Sequence, residues 1–335
     1  MLRAPAFWKH NGLVPRLLAP LACLTGATTA IRLRRKSWYC PVPVICIGNV
    51  TLGGAGKTTV GLELVRRLLA RGWGVQVLLR GYGRASRGLR WVEPDSPLAE
   101  VGDEALLYAP LCPTWVCADR KSGAQAMLSA CAEVVLMDDG LQNPGVEKQL
   151  SLLVIDGTSG FGNGYLFPAG PLREPVDAAA RRCHAAILID ADETGVLAKL
   201  PPELPVLRAK LTPGPEAAEL AGRRVLGFAG IALPDKFFAS LREVGAEVVA
   251  RRSFPDHHPY TEAELAELLA EAKRLDALPV TTAKDSVRLA PDMRRQVRTL
   301  SVTLSWEDPE APESLLRSVI NRWASEGLHR RTYDA

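Results

Sequence analysis

The residues best suited to chemistry lie in one glycine-rich run, Gly48-Asn49-Val50-Thr51-Leu52-Gly53-Gly54-Ala55-Gly56-Lys57-Thr58-Thr59. Glycines let a backbone curl until successive N–H groups converge on phosphate oxygens, and a following helix adds the positive end of its dipole. In such a cradle Lys57 reaches the β- and γ-phosphates of a nucleotide and the Thr58 hydroxyl joins Mg²⁺. Thr51, Leu52, Gly53, Gly54, Ala55, Gly56, Lys57 and Thr58 are therefore the expected nucleotide contacts. The strict pattern G-x-x-x-x-G-K-[ST] has glycine where this chain has Thr51. A plain glycine-rich turn would carry the same letters. The flanks argue against it, because an apolar run (VPVICIG) precedes the loop and Val60, Leu64, Val65, Leu68 and Leu69 follow at helical spacing.

Phosphate chemistry also needs a carboxylate at a strand end, to orient Mg²⁺ or its water. Asp138 closes the run EVVLMD, and Asp139 follows it directly. Adjacent carboxylates repel unless a cation or a proton sits between them. Either could instead be a structural cap. Asp156 and Asp190 also end apolar runs but stand alone, and are read as helix or turn caps.

These residues need a sheet to hold them. Apolar runs from Val42, at Val75–Leu79, Glu133–Asp138, Leu152–Asp156 and Ala186–Asp190 alternate with helical segments. Strands that are apolar throughout predict a parallel α/β sheet covered by helices on both faces, of the P-loop NTPase type, with ligands at its carboxyl edge. After the proline-rich stretch Leu200–Pro215 a smaller α/β unit is expected, with strands at Arg224–Phe228, Ala246–Ala250 and Leu278–Thr282. Helices are expected at Pro234–Val244, Thr261–Leu275 and Pro312–Glu326. The expected division is 1–40 for an N-terminal membrane-associating segment, 41–210 for the P-loop domain and 211–335 for the second. The sequence has no internal repeat and no low-complexity tract.

Charge is distributed unevenly. The 335 residues carry a net +4, but Arg3, Lys9, Arg16, Arg32, Arg34, Arg35 and Lys36 precede the first acidic residue, Glu63, leaving the remainder at about −3. Leu17–Ile31 has no charge and, at fifteen residues, is short for a spanning helix, which needs roughly twenty. With Phe7, Trp8 and Trp38 nearby, it suits the headgroup boundary of an anionic membrane. A core helix or a cleaved signal peptide would share its composition. Seven cysteines without a C-x-x-C pair read as buried thiols in a reducing compartment, and five scattered histidines give a zinc site little support.

Spaced strings along the chain add a resemblance. Asp138–Gln142 (DDGLQ) resembles the signature of the tetraacyldisaccharide 4′-kinases, the lipid A kinases. Arg80–Gly83 (RGYG), Gly102-Asp103-Glu104, Phe161–Gly164 (FGNG), Pro168–Glu174 (PAGPLRE), Ala229-Gly230-Ile231, Asp256-His257 and Lys284-Asp285 fall in the same family's order, from Phe7-Trp8 to the region of Arg288. Three positions depart: Asn143 stands for a histidine, Ala283 for a glutamate and Leu233 for a polar residue.

The resemblance implies transfer of the γ-phosphoryl of ATP, with Mg²⁺, to the 4′-hydroxyl of a lipid-linked disaccharide 1-phosphate. It implies Asp103 as general base with His257 paired to it, and Lys57 at the transferring group. Arg80, Arg120 and Arg173 are then candidates for phosphoryl and substrate contacts, while Glu104 and Gln142 serve the metal and nucleotide side. His258 is assigned no function. The expected location is the cytoplasmic face of the bacterial inner membrane, held peripherally, with an anionic lipid surface as partner and neither nucleic acid nor protein partner. A rival class is the regulatory ATPase of the partition and septum-site type, whose loop is similar. Its signature lysine would stand at Leu52, which disfavours it. A kinase of a soluble small molecule would leave the N-terminus idle.

Overall fold

The computed structural model describes residues 5–84 and 88–331, so Arg3 lies outside the described residues. In chain order the strands are β1 (Val44–Gly48), β2 (Val75–Leu79), β3 (Arg90–Val92), β4 (Thr114–Val116), β5 (Val134–Asp138), β6 (Leu150–Asp156) and β7 (Ala185–Ile189). They continue as β8 (Val206–Pro213), β9 (Arg224–Ala229), β10 (Glu247–Ser253), β11 (Leu278–Thr282), β12 (Arg298–Leu300) and β13 (Val302–Trp306). Nine form one sheet in the order β13-β8-β7-β6-β1-β5-β2-β4-β3, and four form a second in the order β10-β9-β11-β12. Within the large sheet only the two edge pairs, β3–β4 and β13–β8, are antiparallel.

Alternation along the strands explains why both faces are covered. Ile45 and Ile47 of β1 pack with Val134 and Leu136 of β5 in one core, while Val44 and Cys46 pack with Val135 and Met137 in the other. The small sheet likewise separates Val225 and Ala229 from Leu226 and Phe228. Period-two side-chain placement in strands buried on both faces produces this split. The fold is the expected mixed α/β arrangement with a dominant parallel sheet and a second, smaller one.

Sheet membership does not follow a division at residue 211, because that position lies inside β8 and the chain returns to the large sheet at β13. The C-terminal helix Ala311–Arg331 then pairs Glu313 with Arg67 at 2.9 Å on the helix Lys57–Ala70. The return was hidden because Val302–Trp306 is a short edge strand, buried on alternate residues only.

The N-terminal helix spans Leu13–Leu33, 21 residues, about 31 Å at 1.5 Å per residue. This corrects the fifteen-residue expectation: Arg16 and Arg32 sit inside the helix rather than bounding it. By length and composition the helix is long enough to cross a membrane. Leu13, Leu17, Leu21, Leu24 and Ile31 are exposed, and only Pro15 and Ala22 are buried. A core helix would bury such side chains, each worth about 1.5–3 kcal/mol. One flank docks on the body: Asn163 N–H donates to Trp8 O at 2.8 Å, and Trp8 Nε1 donates to Pro168 O at 3.1 Å.

Candidate active site

The glycine-rich loop joins β1 to the helix Lys57–Ala70 at the carboxyl edge of the large sheet. Gly53 and Gly56 take φ of 128° and 80°, which glycine alone adopts without strain. A Cβ on Gly56 would also collide with Ile189 Cδ1. Position 51 has no such need. Thr51 bridges to Leu172, Leu52 N–H donates to Pro171 O at 2.8 Å, and Arg173 N–H donates to Val50 O at 2.7 Å. The first half of the loop is therefore held extended against residues 171–173, where threonine fits as well as glycine. Lys57, only 8% exposed, donates from Nζ to Asn49 Oδ1 at 3.1 Å and lies 3.7 Å from Asp139 Oδ1.

The paired carboxylates ending β5 have opposite fates. Asp138 is buried, accepts a hydrogen bond from Tyr108 Oη on Oδ2 at 3.0 Å, and keeps a buried Oδ1 with no partner among the described residues. Burial, followed by the nearby Glu104 and Asp139 charges, pushes its carboxyl up to about 7 against the pull of Lys57. Asp139, at φ 55°, accepts from Arg173 Nη1 on both oxygens, at 2.8 and 2.9 Å. Burial works against its ionisation, but Lys57 and Arg173 hold it below the usual carboxylate range. Gln142 ties the surroundings together, donating to Asn49 O at 3.0 Å and to Glu174 Oε1 at 2.9 Å.

A second cluster forms where the two sheets meet. Asp103 opens the six-residue helix Asp103–Tyr108, after Gly102 at φ 84°. Its Oδ2 lies 2.8 Å from His257 Nδ1, in the loop after β10. Arg288 Nε donates to the same oxygen at 3.1 Å. Burial opposes ionisation of Asp103, yet the His257 hydrogen bond and the Arg288 charge hold its carboxyl well below the usual range. The same bond raises the His257 imidazole, with burial working against it. Tyr108, at the other end of the helix, is bonded to Asp138. Five residue rises place Asp103 about 8 Å along the axis from that tyrosine, so one short helix links the two clusters.

Phosphate cradle, doubled carboxylate and carboxylate–histidine pair thus share one sheet edge. A sequence profile described as Tetraacyldisaccharide-1-P 4′-kinase matches residues 14–321. The chain belongs to this family. The Tetraacyldisaccharide 4′-kinase of Gluconacetobacter diazotrophicus is 53% identical over 97% of this chain and 100% of its own length. That of Paramagnetospirillum magneticum is 51% identical over 96% of this chain and 98% of its own. A crystal structure of LpxK from Aquifex aeolicus in complex with ATP superposes with a TM-score of 0.73 at 25% identity, covering 92% of this chain and 100% of that one.

Within this kinase framework the candidate residues separate. Asp103 meets His257, and Lys57, Asp139, Arg173 and Gln142 form one network. Glu104 lies 3.5 Å from Lys284. Arg80 is exposed just beyond β2, with no hydrogen bond or ion pair among the described residues. Arg120, expected as a phosphoryl or substrate contact, lies at the end of β5. It is 2% exposed, and its donors go to Cys117 O at 2.9 Å and Asp138 O at 3.4 Å, so it props the end of β5. Burial lowers its guanidinium to about 10. His258 is structural, bonded to Glu264 at 3.0 Å and stacked on Phe254.

Asp156 and Asp190 cap backbone N–H groups, of Thr158 at 3.0 Å and Leu211 at 3.3 Å. Asn143 turns the chain by accepting from Gly145 N–H at 2.8 Å. Sequence reasoning missed Asn49, Tyr108, Glu174 and Arg288. Asn49 and Glu174 lay inside strings already singled out, but Tyr108 and Arg288 carried no motif.

Proposed function

We infer that the chain transfers the γ-phosphoryl of ATP to the 4′-hydroxyl of tetraacyldisaccharide 1-phosphate, forming lipid IVA for lipid A biosynthesis. The observation that supports it most is the Asp103–His257 pair, in which Asp103 opens the helix whose far end bonds Asp138. Phosphoryl transfer passes through a loose transition state, so positioning and charge stabilisation dominate over bond-making by the protein. A carboxylate that stays ionised is therefore an adequate acceptor for the hydroxyl proton. Lys57 and the loop N–H groups gather the β- and γ-phosphates, while Arg173 keeps Asp139 charged beside Lys57. Arg80, exposed at the same edge, is free to meet the substrate's phosphate.

Magnesium fits this donor set, because Asp138 retains one buried oxygen without a partner and a raised carboxyl that a cation would ionise. Thr58 and Asp138 would hold it, with Asp139 and Glu104 nearby. Phosphate oxygens and water would complete the coordination of such an ion. When bound, the ion neutralises phosphate charge.

The exposed apolar N-terminal helix supports work at a bilayer surface. A tetraacylated lipid leaves the membrane at a cost of about 0.8 kcal/mol per CH₂, so the enzyme must come to its headgroup. The helix flank Cys23, Gly26, Ala27 and Ala30 borders a cleft of about 350 Å³ with Leu166 and Pro175. That cleft adjoins the segment zipped to the phosphate loop and is suited to shelter acyl chains. The availability of ATP favours the cytoplasmic face of the inner membrane as its site of action, with exposed apolar side chains and basic flanks to hold it there.

Incubation with γ-labelled ATP, Mg²⁺ and tetraacyldisaccharide 1-phosphate in micelles tests the reading. Label is expected in the lipid. Hydrolysis stimulated by bare vesicles, with no labelled lipid, would instead favour a nucleotide-gated switch.

A further inference from the structure

Arg288 is a buried arginine, its side chain 1% exposed, that the reaction above leaves without a task. Its Nε donates to Asp103 Oδ2 at 3.1 Å, and Nη2 donates to the same oxygen. Nη1 donates to Gly230 O at 2.7 Å and Asp285 Oδ1 at 2.8 Å. Asp285 is fully buried and fixed in turn by Tyr260 Oη at 3.0 Å, Gly230 N–H at 3.0 Å and Thr282 Oγ1 at 2.7 Å. The guanidinium therefore has one orientation, set by the small sheet, while the carboxylate it holds belongs to a helix beside the large one.

The two oxygens of Asp103 are not equivalent. Oδ2 meets His257 Nδ1 and two Arg288 nitrogens, more donors than its two lone pairs accommodate singly. Among the described residues, Oδ1 accepts only the N–H of Glu104, at 2.9 Å. We propose that Arg288 is a positioning residue for phosphoryl transfer, which with His257 occupies Oδ2 and leaves Oδ1 of Asp103 to take the hydroxyl proton. This rests on the reading of Asp103 as the base. In the step, the hydroxyl proton passes to Oδ1 as its oxygen bonds to the γ-phosphorus. The bond from that phosphorus to the β-phosphate oxygen breaks, and ADP leaves with those electrons. Arg288 touches neither substrate.

A residue acting only through Asp103 must lower turnover without weakening binding, and must lose its effect once Asp103 is disabled. The full chain in micelles, with labelled ATP and the lipid, would be assayed as Arg288→Gln, Arg288→Lys, Asp103→Asn and the Asp103→Asn/Arg288→Gln double variant. Arg288→Gln is expected to lower kcat about 100-fold, within the range general-base catalysis supplies, with both KM values nearly unchanged. Arg288→Lys is expected to recover part of the loss, and the double variant to match Asp103→Asn. Removing one partner of a buried ion pair can unfold a protein. If Arg288→Gln does not fold, Arg288→Lys decides by the same split between kcat and KM. Retained kcat in both arginine variants, or an equal further loss in the double variant, would overturn the inference while leaving the base in place. Undiminished turnover in Asp103→Asn would remove the base and the inference together.

Discussion

Asp103 and His257 are 154 positions apart and meet at 2.8 Å where the two sheets join. Each changes the other's ionisation in the direction that favours a carboxylate–imidazolium pair. Their pH dependence follows from the signs. The raised imidazole contributes stability that is fully present below its unfolded value of 6.5 and is lost as pH rises through its folded value. The lowered carboxyl contributes stability that is present above its unfolded value of 3.8 and is lost only as pH falls through its folded value. The difference in Tm between wild type and His257→Asn should therefore be larger at pH 6 than at pH 9. An equal difference at both would mean that the pair is not charged in the folded protein.

The phosphate loop makes two contrasting predictions. Thr51→Gly removes only the Asn49 Nδ2–Thr51 Oγ1 bond of 3.0 Å, so KM for ATP should change less than about threefold. Gly56→Ala forces a side chain onto φ 80° and into Ile189, so ATP binding should fall by an order of magnitude or more. Calorimetric titration with ATP compares the two directly.

Gly61, on the helix after the loop, leaves room for the Tyr108 hydroxyl, with which a Cβ would collide. Gly61→Ala should displace Tyr108 from Asp138 and cost about 1–3 kcal/mol through overpacking. Thermal melts and turnover should fall together. An unchanged Tm would show that Tyr108 has space to move aside.

Exposed apolar side chains on the N-terminal helix predict a surface effect separate from chemistry. The double variant Leu17→Glu/Leu24→Glu should sediment less with phosphatidylglycerol vesicles while hydrolysing or transferring phosphate normally in detergent. Undiminished sedimentation would assign membrane binding to another part of the chain.

How far the sequence was readable depended on the range of the interactions. The strands of the parallel sheet were legible because β1, β5, β6 and β7 are buried on both faces and read as unbroken apolar runs. β3, β4 and β13 were not, being short edge or near-edge strands whose pairing is set by partners far along the chain. The phosphate loop was local and visible, whereas the fate of each carboxylate was not. Nothing near Asp138 in sequence shows that Tyr108 will bond one oxygen and leave the other bare. Arg288 was invisible for the same reason, since its meaning comes from Asp103, 185 positions away. The N-terminal helix is longer than its uncharged stretch, because Arg16 and Arg32 extend from within it.

In the proposed mechanism Asp103 accepts the proton of the lipid hydroxyl, in a kinase that binds ATP independently of it. Single-turnover transfer from γ-labelled ATP to tetraacyldisaccharide 1-phosphate, comparing wild type with Asp103→Asn at saturating ATP, tests it most directly. Unchanged ATP affinity and a transfer rate lower by about 10²–10⁴-fold are expected. A variant that transfers label at the wild-type rate would contradict it.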